Sequence, residues 1–138
     1  MIDFKHPALR DEFAGRRSVD GQTIHPKIRA PVFALSGYAD YHWGKSLTVT
    51  EILRDAKTQD RYYRGSASYQ RKPWKSVHQF GCGVDFRAAN FTEAETAEML
   101  AFLNDNFDYG DDKHKTAVCH DIGLGKHLHL QIHPDTPR

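Results

Sequence analysis

The sequence predicts a single α+β domain with a mostly antiparallel sheet and one main helix packed on it. Three observations lead there. Several short stretches alternate apolar and polar residues at strand period. One stretch, from about Thr92 to Phe107, carries the spacing of a helix. No strand–helix–strand unit repeats, which argues against a parallel sheet. The chain has 138 residues, the size of one domain, and can bury a core without a lattice of disulfides.

Residues 1–46 hold three of the six prolines and only short apolar pieces such as Pro31-Val32-Phe33-Ala34-Leu35. They read as loops with one short helix and one short strand. This part is expected to form the outer wall of any cleft. The core part, residues 47–133, begins with Leu47 to Arg54, rich in β-branched residues and read as a strand. A short helix or turn through about Tyr63 follows, then an irregular loop over 64–77.

Gly83 to Arg87 reads as a short strand, with Val84 and Phe86 on one face and Gly83, Asp85 and Arg87 on the other. In the helix that comes next, Thr92 and Glu95 have the spacing of a capping box. Ala97, Leu100, Leu103 and Phe107 are expected on its buried face. Thr116 to His120 is a further strand. His127 to His133 alternates strictly, with Leu128, Leu130 and Ile132 toward a core and His127, His129, Gln131 and His133 on the opposite face.

Lys and Arg total 19 against 18 Asp and Glu, a balance that argues against nucleic acid as the main partner. The start of the chain lacks the basic and apolar pattern of a secretory signal, and no run of about 18 apolar residues exists to span a membrane. Cys82 and Cys119 are too few for a disulfide scaffold and read as buried thiols, with Cys82 open as a metal ligand.

Nine histidines is a high count for this length. His6, His25, His42 and His114 read as surface or satisfied core residues, and His120 and His133 as supporting or surface groups. The remaining ones fall into a pattern. A catalytic zinc ion takes three ligands from His, Asp, Glu and Cys and leaves a fourth position open. His78 and Asp85 lie seven residues apart, with Gly81 and Gly83 between them to let the chain fold back. The pair His127/His129 sits on the polar face of another strand.

The string Ser76-x-His78-x-x-Gly81-x-x-x-Asp85, followed about forty residues later by His127-x-His129, resembles the D-Ala-D-Ala metallopeptidases. That family belongs to a wider group with the lysostaphin-type peptidases and the hedgehog zinc domain. The resemblance runs from Leu47 to His129 and implies a hedgehog/DD-peptidase-like fold. It assigns His78, Asp85 and His129 to one zinc ion per chain, and makes His127 the general acid/base. It places an arginine at the end of the upstream strand for the oxyanion, here Arg54, with Arg61 as substitute. Ser76, Trp74 and Gln131 are expected to touch substrate or to brace the ligands. Gly83 stands where the family commonly has Ala, a small change that should be tolerated.

The function implied is hydrolysis of peptide bonds involving D-amino acids in peptidoglycan stem peptides or their precursors, by a monomer with no nucleic-acid or membrane partner. The alternative is a non-catalytic, zinc-stabilised binding module of the same fold. Without an export signal, the expected setting is cytoplasmic synthesis, with release to the cell wall in the manner of a phage lysis enzyme.

Overall fold

A computed structural model describes residues 1–121 and 125–138. The elements run β1 (Ile2–Phe4), α1 (Pro7–Phe13), α2 (Arg29–Trp43), β2 (Leu47–Glu51), α3 (Ala56–Tyr63), α4 (Ala67–Arg71), β3 (Gly83–Arg87), α5 (Glu93–Asn106), β4 (Ala117–His120) and β5 (His127–Gln131), with 3-10 turns at Pro26–Ile28 and Val77–Phe80. The five strands form one sheet in the order β1-β2-β3-β5-β4. Only the β1–β2 pair is parallel. The expected α+β class and mostly antiparallel sheet are present.

The expectation of one main helix is corrected. Helix α2, with 15 residues, is as substantial as α5, with 14, and residues 1–46 are largely helical rather than looped. Pro31 falls in the first turn of α2, where its missing N–H has no intrahelical acceptor to lose. Val32, Leu35, Ser36 and Ala39 then form its buried stripe, at the i, i+3, i+4, i+7 spacing of a core-facing helix.

The α5 capping box exists as expected: Glu95 N–H donates to Thr92 Oγ1 and Thr92 N–H to Glu95 Oε1. Its buried face holds Leu103, with Leu100 and Phe107 partly buried against the core as expected, but Met99 takes the place of Ala97. Met99 and Leu103 are buried while Ala97 is exposed, because α5 packs against α2 and β4 along the row one turn apart through Met99.

Strand register sorts the side chains into two faces. Val84 pairs with Leu130 and Phe86 with Leu128, and Ala117 and Cys119 meet the same two leucines from β4. This face closes on α2 and α5 as the core. The opposite face carries Gly83, Asp85 and Arg87 against Gln131, His129 and His127, with His120 beyond, opposite His127.

Strand β2 is shorter than expected and ends at Glu51. Val49 pairs with Phe86 but Glu51 pairs with Asp85, so the ladder slips by one residue between them. In an unbroken antiparallel register Glu51 would share Val49's face and point at the core. The bulge turns it to the site face instead.

Candidate metal centre

The 3-10 turn that delivers His78 is built by its own sequence. Ser76 Oγ accepts from the His78 N–H, and Gln79 Oε1 accepts from the Ser76 N–H, a reciprocal cap that satisfies two orphan donors. The turn ends at Gly81 in the left-handed region, φ 71°. A Cβ there would lie 2.1 Å from the Thr23 carbonyl oxygen, so only glycine fits. The His25 N–H donates to the Gly81 carbonyl, 2.8 Å, and the His25 ring reaches the Thr136 carbonyl, 2.7 Å.

The N-terminal part therefore buttresses the ligand turn from beneath. The main cleft beside these groups is lined by residues from Arg54 to Gln131, while Lys5 reaches a smaller hollow beside Asp85 and His127.

His78, Asp85 and His129 are all buried and positioned to hold a metal ion, their ligand atoms within 4.8 Å of one another. His129 Nδ1 is 2.7 Å from Asp85 Oδ1, and His78 Nε2 is 3.2 Å from Asp85 Oδ2. His127 Nε2 lies 3.4 Å from the same Oδ2.

The far nitrogen of each ring faces an acceptor. His78 Nδ1 is 2.8 Å from the Ile52 carbonyl, and His127 Nδ1 is 3.3 Å from the Gly125 carbonyl. His129 Nε2 is 3.1 Å from Gln131 Oε1. The Gln131 amide has no freedom to turn, because its NH2 group donates to the Lys115 carbonyl, 2.8 Å.

An acceptor fixes the proton of a neutral imidazole on the side that faces it. The three remaining ring nitrogens then point lone pairs at a carboxylate, an arrangement of acceptors with no donor between them. A cation resolves it, either a metal ion or protons on the rings.

The electrostatics follow. Burial alone would raise the Asp85 pKa, but the His78 and His129 imidazoles hold it well below the usual carboxylate range. Burial pushes His78 down, yet the Asp85 charge outweighs it and leaves the pKa raised. Burial of Cys82 pushes its thiol up to about 11, and its Sγ–H lies against the Phe80 carbonyl. Cys82 belongs to neither group of convergent ligand atoms among the described residues.

Arg54 does not end a strand. It lies three residues beyond β2, buried, with Nε and Nη2 donating to the Glu51 carboxylate and Nη1 donating to Gln59. It still lines the cleft with His78 and Asp85. Arg61 does not: it lies in a separate depression with Asp55 and Thr58 and flanks the Tyr62 ring at 5.9 Å. Trp74 and Ser76 line the cleft, which has a volume near 690 Å³. Trp74 meets Tyr63 and Tyr69 edge-on at 5.3 and 4.9 Å between ring centres. His133 sits apart, tilted against Tyr109.

The expectation for Gly83 is corrected. A Cβ there would stand 3.1 Å from Cε1 and Nδ1 of His78 and 2.9 Å from Val77 Cγ2, so glycine makes room for the ligand ring.

Glu51 enters the centre without any expectation from the sequence, and His120, expected as a supporting or surface group, stands in it. Glu51 Oε1 is 3.5 Å from His78 Nε2, and only the bulge, invisible in the sequence, brings it there. His120 stacks edge-on to His127 at 4.4 Å, and with Asp85 and His127 it makes a second group of convergent ligand atoms. Its Nε2 is buried without a hydrogen-bond partner, the only such side-chain atom among the described residues.

Comparison with family models, curated proteins and solved structures finds no match to this chain. Among the described residues no helix is long and apolar enough to cross a membrane.

Proposed function

We propose that the protein is a zinc-dependent peptidase that hydrolyses peptide bonds involving D-amino acids in peptidoglycan stem peptides or their precursors. One observation supports it most: three imidazoles, each with its far nitrogen against an acceptor, converge on the buried Asp85 carboxylate. Two neutral imidazoles and one carboxylate are a zinc donor set. The motif Ser76-x-His78-x-x-Gly81-x-x-x-Asp85 with His127-x-His129 supplies the substrate class.

His78 and His129 would hold the ion through Nε2 and Nδ1, with Asp85 between them. Zinc in such a site lowers the pKa of a water molecule toward about 7 and polarises a carbonyl. His127 has its Nδ1–H on the Gly125 carbonyl, so its Nε2 is free to take a proton from the attacking water and return it to the leaving amine. Arg54 uses three of its N–H groups on Glu51 and Gln59. Of the five that a guanidinium carries, two remain for a developing oxyanion. Trp74 and Tyr63 give the cleft an aromatic wall for the acyl side of the substrate.

Elemental mass spectrometry of the purified protein, with His78→Ala, His129→Ala and His127→Ala, tests the reading. About one zinc per chain is expected, lost in the first two variants and kept in the third, which should lose hydrolysis of a D-alanyl-D-alanine peptide. A chain that takes up no zinc on titration overturns the reading. A zinc-loaded chain that binds stem peptides without cleaving them is the non-catalytic module instead.

A further inference from the structure

Helix α1 turns three side chains inward, Leu9, Glu12 and Phe13, at the i, i+3, i+4 spacing of a buried stripe. Leu9 and Phe13 join the apolar core. Glu12 is a carboxylate in the same stripe, 5% exposed, where a charge is held only at a cost. Burial raises its pKa, while the Leu53 N–H and the Arg17 guanidinium favour its charged form.

Its contacts account for its position. Strand β2 stops at Glu51, so the N–H of the buried Leu53 lies beyond the ladder and needs another acceptor. Glu12 Oε1 accepts from it, 3.1 Å. The carbonyl of that same peptide group, on Ile52, accepts from His78 Nδ1–H, 2.8 Å. The peptide is trans, so its N–H and C=O point in opposite directions. Carboxylate, peptide group and imidazole thus form one chain of hydrogen bonds running from α1 to a residue of the metal centre. All four residues in it are buried. The Arg54 N–H, on the same loop, donates to the His78 carbonyl, 3.3 Å, and holds that residue by its backbone as well.

A glutamine would satisfy the Leu53 N–H without burying a charge. The charge does what an amide does not: it polarises the peptide group. Hydrogen bonds in a chain strengthen one another by about 10–30% each at low dielectric. The Ile52 carbonyl becomes a better acceptor for the Nδ1–H, and the opposite ring nitrogen, Nε2, becomes more basic toward an ion.

We infer that Glu12 is a positioning residue for the metal centre, its carboxylate acting through the Ile52–Leu53 peptide to orient the His78 ring and strengthen it as a ligand. The inference rests on the metal-binding part of the reading above, and not on the substrate. It gives residues 1–46 a second hold on the site, through the ring of His78 as well as the turn that carries it.

The test is Glu12→Gln in the full chain, which keeps an acceptor for Leu53 and removes the charge. Zinc affinity is read by chelator competition, the His78 Nδ1–H proton resonance by NMR, and stability by melting of the zinc-free chain. Affinity should fall about three- to tenfold, less than the 10–100-fold typical of a partner that touches the ligand, because Glu12 acts one peptide group further out. The resonance should move upfield with and without zinc, and the melting point should change little. Glu12→Ala also orphans the Leu53 N–H, and should lose stability along with more of the affinity. Unchanged affinity in Glu12→Gln, or a loss of affinity with the resonance unmoved, overturns the inference and leaves Glu12 as a cap for Leu53. The unaltered zinc-free chain gives an independent check. As acid protonates Glu12, the Leu53 N–H and His78 Nδ1–H resonances should move upfield together; movement of the first without the second overturns the inference. A chain that takes up no zinc overturns the metal reading, while the resonances of the zinc-free chain still decide whether Glu12 acts on His78.

Discussion

Asp85 Oδ1 and His129 Nδ1 stand 2.7 Å apart at paired positions of the β3–β5 ladder, both buried. The backbone hydrogen bonds of that ladder hold the two groups together whether or not an ion lies between them. What the ladder does not fix is which nitrogen of His129 carries the proton.

Gln131 fixes that. Its amide is pinned to the Lys115 carbonyl and its oxygen faces His129 Nε2. Gln131→Leu should weaken zinc binding by about 10–100-fold, the usual cost of losing a group that orients a ligand. Chelator competition measures it. Unchanged affinity would mean that the strand alone sets the tautomer.

Gly83 is the second control point. Gly83→Ala places a methyl 3.1 Å from the His78 ring, which must tilt away from Asp85. Zinc affinity is expected to fall about tenfold or more. Thermal stability should change by no more than about 1 kcal/mol, since Ala also restricts the unfolded chain. Retained affinity in a well-folded variant would place the constraint on His78 elsewhere.

Stability of the zinc-free chain should depend on pH in a stated direction. The His78 pKa is raised in the fold, with burial opposed and outweighed by the Asp85 charge. Its contribution is fully present below the unfolded value of about 6.5 and is lost as pH rises through the folded one. The Asp85 pKa is lowered against its burial by the two imidazoles, so its contribution is present above the unfolded value of about 3.9 and disappears only in stronger acid. Zinc binding must run the other way, weakening as pH falls, because protons compete for the same nitrogens. Denaturant melts of the zinc-free and zinc-loaded chain between mild acid and mild alkali should therefore diverge as pH rises. Parallel curves would show that the ion binds elsewhere.

Thr92→Ala separates fold from site. It removes the α5 cap and should cost about 1 kcal/mol of stability, read by chemical denaturation. Zinc content should stay the same, since α5 packs on the core face of the sheet. A variant that loses zinc along with its cap would link the two faces.

The three residues of the candidate metal centre were legible because each stands on local pattern. Val84 and Phe86 set the face of Asp85, Leu128 and Leu130 set that of His129, and the capped turn with Gly81 returns His78 to both. Helix α2 was hidden by Pro31, which reads as a breaker although it sits in the first turn. Glu51 was beyond reach for a different reason. Its face depends on pairing between β2 and β3, thirty-odd residues apart, and no local pattern encodes a slip in that pairing. Arg54 was found as a cleft residue, but its bond to Glu51 inherits the same blind spot.

The slip between Val49 and Glu51 also limits how the chain can vary. It works as a half-period phase shift: keep the length of β2 but close the slip, and Glu51 would pair with Val84 in the phase of Val49, leaving a carboxylate in the apolar layer and Arg54 without its anion. Surface loops elsewhere can gain or lose residues at little cost. Here the count of residues matters as much as their kind: with Thr50 deleted the strand would alternate regularly and still set Glu51 opposite Asp85, so that deletion is expected to be milder than deletion of the buried Val49.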